Sequence, residues 1–341
     1  MSMRQALTIG VYNPKYICQA SPSCGDDVFA KGLESEGYEV FRFDYRQPSS
    51  DINQELLRVG AGLSQTDTEI VWIGKAERIT AETICKLKQM LPNAIFVKWA
   101  ADMRDEPPAF DIRHCSQVDW FFGTFGGDYL KKFLLPNMKG VGSIFTFVDS
   151  QFYAPMEVDP DYVSDILWTG RKSTGDNPLR NETIEFINKK MLEQTVMFSQ
   201  SQTLKINMFG HDGKTWIQDD YVKYINGARV GVSVNSYKRR LYTSDRLSNF
   251  MSCGTFLLSE RIDGFENFLF EGTHLDYFDT PEEMYEKAQY YLTDSVKRNK
   301  IAAMGRDRIV NYYSSQKLVH YLLNLMKYGD KCRSWEEVYM N

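Results

Sequence analysis

The sequence predicts two doubly wound α/β domains in one chain, on three observations. The chain has 341 residues, long for one compact domain. Apolar strand-like runs alternate with helical patterns from near the start, which is the signature of parallel βαβ units. That rhythm breaks once, over Gln151–Tyr162 (QFYAPMEVDPDY), where two prolines sit among acids, and then restarts. Residues 1–158 are read as the first domain and 159–314 as the second, with a tail over 315–341.

The elements follow in order. Ala6–Tyr12 is a short apolar strand that enters a Pro/Ser/Gly/Cys loop, and a helical pattern from Asp26 to Glu36 closes at Gly37. Tyr38–Phe43 alternates as a second strand, completing a βαβ opening. A polar helix over 52–62, a strand at Glu69–Ile73, a helix over 80–91 and a strand at Ala94–Trp99 continue the pattern. Val118–Thr124 is another strand, Gly127–Phe133 a helix, and Phe145–Val148 is expected to close the first sheet. After the linker, Asp165–Thr169 (DILWT) is a strand ending in Gly170, followed by a helix over 179–193. Leu204–Phe209 and Arg229–Asn235 are strands separated by a short helix over 219–226. A helix over 244–253 is capped by Gly254, and Thr255–Ser259 and Leu275–Phe278 are the last strands. Helices over 281–292 and 294–313 and a strongly apolar one over 315–327 finish the chain.

Composition excludes several classes. The chain is 43% hydrophobic and 25% charged with 11 prolines, so it can bury a core and is not disordered. Residues 1–160 carry 16 Lys and Arg against 21 Asp and Glu, while 161–341 carry 24 of each. A basic footprint over the whole molecule is thus excluded, though a local basic pocket is not. No run of 18 apolar residues occurs, and the start MSMRQALTIGVYNP lacks the long apolar region of a signal peptide. The six cysteines are scattered with no CxxC pair and the four histidines have no metal-ligand spacing. Reduced thiols in a cytoplasm, and no structural metal, are expected.

In open α/β sheets, ligands bind beyond the carboxyl ends of strands, where helix N-termini offer N–H groups to anions. The cleft between two such sheets is the expected site. Three strand ends in the second half carry suitable groups. Gly170-Arg171-Lys172 follows DILWT, with Arg180 at the start of the next helix; a glycine allows close backbone approach, and the cations suit a diphosphate. A solvated basic loop would read the same way. Gly210-His211-Asp212-Gly213-Lys214 is a loop that could cup a ring or phosphate, or a plain turn. The densest set is Asn235, Lys238-Arg239-Arg240 and Thr243-Ser244-Asp245-Arg246, where an N-cap hydroxyl and an Arg open a helix.

The run SDRLSNFMSCGTFLLSE, followed by FEGTHLDYFDTPEEMYEKAQYYLTDSVKRNKIAAMGRDRIVNYYS, resembles the C-terminal half of the CgeB-like glycosyltransferases, a group 1 type with the GT-B fold. The resemblance covers Asp165–Ser314 well. In the first half it is carried by Trp99-Ala-Ala-Asp102 with Arg104-Asp105, by Asp119-Trp-Phe-Phe, and by Asp149, Phe152 and Pro155. It implies two Rossmann-like domains facing across a cleft, with the nucleotide-sugar donor on the C-terminal domain and the acceptor and base on the other. It also implies that the tail helix crosses back onto the first domain. By this resemblance Gly170 and Arg171 meet the donor diphosphate, and Arg246 precedes the donor-binding helix. Related enzymes place a ribose-binding Glu five residues before the helix-terminal Gly; here that position is Asn249, and Leu241 stands eight residues earlier. The paired-Glu motif is therefore absent, and Asn accepts a ribose hydroxyl less strongly than a carboxylate.

Sugar transfer needs charge compensation for the departing diphosphate and often a base for the acceptor hydroxyl. With no DxD-type pair at a strand end, Arg171, Lys172 and Arg246 are expected to meet the leaving group without a metal, and no cofactor is needed beyond the nucleotide sugar, UDP-linked by preference. Asp102 is the expected base, with Asp105 next and His114 behind it; equally, these acids could simply solvate a loop before Pro107-Pro108. A saccharide or other small acceptor is favoured by the acidic first half. Two alternatives stand: hydroxylated bases in phage-type DNA, contacted through Lys131, Lys132, Lys139 and Lys238–Arg240, and a non-catalytic sugar-nucleotide binder.

Overall fold

A computed structural model describes residues 4–12, 25–196, 204–209 and 220–341. The chain forms two compact units, one of residues 1–147 with 313–341 and one of residues 148–312. The segment 151–162 thus lies inside the second unit, where it includes a single 3-10 turn at Pro160–Tyr162.

The first unit opens with β1 (Gln5–Gly10), α1 (Gly25–Ser35) and β2 (Glu39–Asp44). It continues with α2 (Ile52–Leu63), β3 (Thr68–Ile73), α3 (Ala81–Met90), β4 (Ile95–Ala100), α4 (Ala109–Cys115), β5 (Trp120–Gly123), α5 (Gly127–Lys131) and β6 (Gly140–Ser143). Side-chain caps start two of these helices: Asp51 accepts from the amides of Asn53 and Gln54, and Thr80 accepts from that of Thr83. The strands are parallel and their inner residues almost wholly buried, as sheets covered on both faces require.

The second unit contains β7 (Ser164–Thr169), α6 (Pro178–Val196), β8 (Ile206–Phe209), α7 (Tyr221–Gly227) and β9 (Ala228–Ser233). Then come α8 (Asp245–Ser252), β10 (Phe256–Glu260), β11 (Asp276–Phe278), α9 (Pro281–Thr293) and α10 (Ser295–Tyr313). Its core is Ile166, Trp168, Val230, Val232, Phe256 and Leu258 from the strands, packed on Ile184, Met284, Tyr291 and Ile301 from the helices. The last elements, α11 (Ser315–Tyr328) and β12 (Val338–Met340), belong to the first unit. α11 lies on α1, so closely that a Cβ on Gly32 would sit 2.3 Å from Val319. Lys327 ties it further to Glu69 (2.6 Å) and to the Tyr38 hydroxyl (2.9 Å).

Sheet order is β12-β6-β5-β4-β3-β1-β2 in the first unit and β11-β10-β9-β7-β8 in the second. The topological switch point falls between β1 and β3 in one and between β7 and β9 in the other.

Three elements differ from expectation. The sixth strand is Gly140–Ser143 rather than Phe145–Val148. Two glycines weaken its intrinsic strand character, yet here they admit neighbouring rings: a Cβ on Gly140 would lie 2.8 Å from Trp120, and one on Gly142 2.8 Å from Phe122. A short helix, α4, follows Pro107-Pro108, where the sequence reading assigns no element. β12 adds an antiparallel edge that no sequence pattern announced. No described helix is long and apolar enough to cross a membrane.

Candidate functional site

The switch point of the second sheet gathers cations. β7 ends at Thr169, and Gly170 follows with φ +141°, a conformation that side chains rarely adopt. Its peptide is fixed from both sides: the Gly170 amide donates to the Phe209 carbonyl (2.9 Å), and the Trp168 indole donates to the Gly170 carbonyl (3.1 Å). A Cβ here would lie 2.4 Å from Nη2 of Arg180 and 3.0 Å from Nη1 of Arg246. Both guanidiniums therefore close against the bare Cα.

Arg180 stands in the first turn of α6 and is 3% exposed. Its Nε donates to the Arg171 carbonyl (2.9 Å), its Nη1 to the Val234 carbonyl, and its guanidinium lies 5.4 Å from the Trp168 ring centre. Arg246, second residue of α8, donates from Nη2 to the same Val234 carbonyl (2.9 Å), while its Nε is buried with no hydrogen-bond partner. One carbonyl just past β9 thus draws the two cations to a point. Among the described residues neither has a carboxylate ion-pair partner. Burial, and then the charge of Arg246, push the Arg180 pKa down to about 8. Two adjacent cations, one of them buried, with no directly paired acid are costly, and a bound anion would relieve both.

Beneath them is a polar network. Glu260, the last residue of β10, is 1% exposed and accepts from the Asn235 amide and from Nδ2 of Asn177 (2.6 Å). The same Nδ2 reaches the Asn235 carbonyl (3.0 Å). The Asn235 side chain donates to the Tyr242 carbonyl (3.0 Å) and accepts from the amide of Ser244 (3.1 Å), which stands at the N-cap position of α8 without the side-chain capping bond expected of its hydroxyl. Burial pushes the Glu260 carboxyl up to about 7, against the pull of the Asn235 and Asn177 hydrogen bonds and of the charges of Lys238 and Arg246.

The structure thus brings together Gly170, Arg180, Arg246, Asn235 and Ser244. Asn249 is buried on α8 beside the Tyr221 hydroxyl, which lies 3.5 Å from the Thr169 hydroxyl. Asp245 is exposed at the head of α8, and Arg171 is exposed and contributes its carbonyl. Lys172 forms an exposed ion pair with Glu185 on α6 (3.1 Å). Gly210 and His211 lie outside the described residues.

In the first unit, Asp102 and Asp105 are exposed on the loop between β4 and α4; Asp102 pairs with Lys75 at 3.1 Å. His114 is buried, with Nε2 2.8 Å from the Ile79 carbonyl; burial and then Lys98 push its pKa down to about 4. It is a neutral structural histidine at pH 7.

The residue that sequence reasoning passed over is Asp26. It sits in the first turn of α1 at the β1/β3 switch point and is buried. The Val11 amide donates to its Oδ2 (3.0 Å) and the Trp99 indole to its Oδ1 (2.9 Å). A Cβ on Gly10 or on Gly74 would come within 2.5 Å of it. Burial raises its pKa to about 6, opposed by the two hydrogen bonds and by Lys98 and Arg46. The signal available in the sequence was the pair of glycines ending the first and third strands. Among the described residues, no group of three or more His, Cys, Asp or Glu is placed to hold a metal ion.

Known proteins resemble the chain in two ways. The model of the glycosyl transferase-like family matches residues 189–324. Solved structures match nearly the whole chain. A sucrose-phosphate synthase from Thermosynechococcus elongatus aligns with TM-score 0.58 at 10% identity, covering 95% of this chain and 98% of that one. A glycosyltransferase from Rickettsia africae gives 0.60 at 11%, covering 95% and 98%. HepE from Anabaena, in complex with UDP, gives 0.56 at 9%, covering 94% and 99%. No curated protein matches. The fold is that of these glycosyltransferases, the two-sheet GT-B class.

Proposed function

We propose that this chain is a glycosyltransferase that moves a hexosyl or pentosyl group from a nucleotide-diphosphate sugar, UDP-linked by preference, to a hydroxyl of a saccharide or other small acceptor. The observation that carries this is the pair of acid-free guanidiniums, Arg180 and Arg246, closed on Gly170 at the switch point of the second sheet. Fixed cations at that place bind a diphosphate in the ground state and stabilise it more as charge builds on the departing oxygen. The glycosyl transferase-like match includes Arg246 and Glu260, and one neighbour of like fold was solved with UDP. Both support the reading, as does the CgeB-like pattern of residues. Arg180 and Arg246 carry the leaving-group charge, so no step is given to a metal. The acceptor base comes from the first unit, with Asp102 and Asp105 as exposed candidates and Asp26 as the buried one.

The alternative acceptor, hydroxylated DNA bases, relied on exposed cations. Lys131 pairs with Asp128 (2.9 Å), Lys132 with Glu106 (2.7 Å), Arg239 with Asp176 and Arg240 with Asp263 (2.8 Å). These four are matched by acids, while Lys139 and Lys238 have no ion pair among the described residues; the balance favours an uncharged acceptor.

The test is thermal stabilisation by UDP-, GDP-, ADP- and dTDP-glucose, followed by donor turnover with and without candidate acceptors. At least one should raise the melting temperature, and Arg246→Gln should weaken its binding about tenfold or more, as loss of a charged hydrogen bond implies. No stabilisation by any of them rejects the donor assignment. Binding without turnover leaves a sugar-nucleotide binder, the non-catalytic alternative.

A further inference from the structure

We propose that Glu260 is a positioning residue of the diphosphate site, and that it takes up a proton when the nucleotide sugar binds. This rests on the donor assignment above and adds a residue that does not touch the donor.

The geometry gives Glu260 two tasks. The first is mechanical. Its Oε2 holds Asn177, the residue just before α6, whose first turn carries Arg180. Its Oε1 holds the amide of Asn235, directly after the Val234 carbonyl that receives both guanidiniums. Through Asn235 Oδ1 the chain of bonds reaches the Ser244 amide at the head of α8, which carries Arg246. One carboxylate therefore orders all three segments that place the cations. Without it, the buried Asn235 amide loses its acceptor and Asn177 Nδ2 keeps only the Asn235 carbonyl.

The second task is electrostatic. Lys238 and Arg246 favour the ionised form of Glu260, and Arg180 feels its charge in turn. On the neighbouring strand β11, the residue in register with Glu260 is Phe278, which does not titrate. Burial opposes these cations and holds the carboxyl at about 7. Ionised Glu260 is thus a buried negative charge that offsets the guanidiniums in the absence of a diphosphate. A diphosphate takes over that role and repels the carboxylate, so the bound complex favours protonated Glu260. By linkage, binding takes up a proton and affinity falls as pH rises through 7, tenfold for each pH unit by which the ligand raises the carboxyl pKa.

The experiment is calorimetric titration of the full chain with whichever of UDP-, GDP-, ADP- and dTDP-glucose stabilises it best, at pH 6 to 8.5, in two buffers of different ionisation enthalpy. These ligands lack a terminal phosphate, so they do not bring the second phosphate ionisation near pH 6 into the window. The wild type should bind about tenfold more weakly at pH 8.5 than at pH 6, with net proton uptake near neutrality. Glu260→Gln should bind with an affinity nearly independent of pH between 6 and 7, below the range in which Arg180 titrates. Glu260→Asp keeps an ionisable group one methylene back and should move the midpoint of the profile. It serves as the readout if the Gln variant does not fold. A wild-type profile retained in Glu260→Gln, or a midpoint unmoved in Glu260→Asp, overturns the proposal and leaves Arg180 or His211 to account for the profile. Binding by the wild type without proton uptake overturns it as well. Absence of binding at every pH overturns the donor assignment itself.

Discussion

Asp26 is held between the Val11 amide and the Trp99 indole with almost no water around it, and both hydrogen bonds fail to offset the cost of burying its charge. Its folded pKa of about 6 lies above the unfolded value of 3.8. The folded state therefore binds the proton more tightly, and this group favours the fold fully below about pH 4. That contribution is lost as pH rises through 6, a swing on the order of 3 kcal/mol. Asp26→Asn cannot ionise, so its stability relative to wild type should improve by that order between pH 4 and pH 7. Urea unfolding at the two pH values measures the difference, and an equal difference at both would remove the argument. Turnover separates the acids further. Asp102→Asn should slow transfer at least a hundredfold with donor binding unchanged if Asp102 is the base. Near wild-type transfer excludes it and passes the role to Asp105 or Asp26.

At the scale of the elements, β6 shows how glycine can make a strand rather than weaken it. Trp120 and Phe122 on β5 stack with ring centres 5.8 Å apart, and their rings lie over Gly140 and Gly142. Gly142→Val would improve intrinsic strand preference yet drive two methyls into Phe122. It should destabilise the first unit by about 1–3 kcal/mol, read as a lower urea midpoint. A neutral or raised midpoint would show that the rings can move aside. The same strand marks a limit of sequence reading. Strands such as Asp165–Thr169 and Ala94–Trp99 stand out because each carries an apolar run, Ile166–Trp168 in one and Ala94–Val97 in the other. Gly140–Ser143 carries no such run, so the neighbouring Phe145–Val148 drew the assignment. α4 was hidden behind two prolines, and β12 is only three residues long. The cations at Gly170, Arg180 and Arg246 were legible because strand end, helix start and basic residue are adjacent in sequence. Asp26 and Glu260 were not, because each acquires its role from partners far along the chain, Trp99 for one and Asn177 for the other.

At the scale of the whole molecule, the first unit is built from both ends of the chain. α11 covers the face of α1 at Gly32, and β12 pairs with the edge of β6. A chain ending at Tyr312 loses both. Limited proteolysis of that truncation should leave a protected fragment near 148–312 and degrade residues 1–147, as mass spectrometry would report. Equal protection of the N-terminal fragment would mean that the returning helix is dispensable.

The same arrangement reverses the usual order of maturation during synthesis. A ribosome that emits about 5–20 residues per second finishes the second unit while the first still lacks its closing helix and edge strand. For some seconds the nascent chain carries a completed C-proximal body and an N-terminal half with an uncovered α1 and an open sheet edge. Chaperone engagement, if the chain needs it, falls on that waiting half, and a codon-level pause after residue 312 would prolong the exposure rather than relieve it.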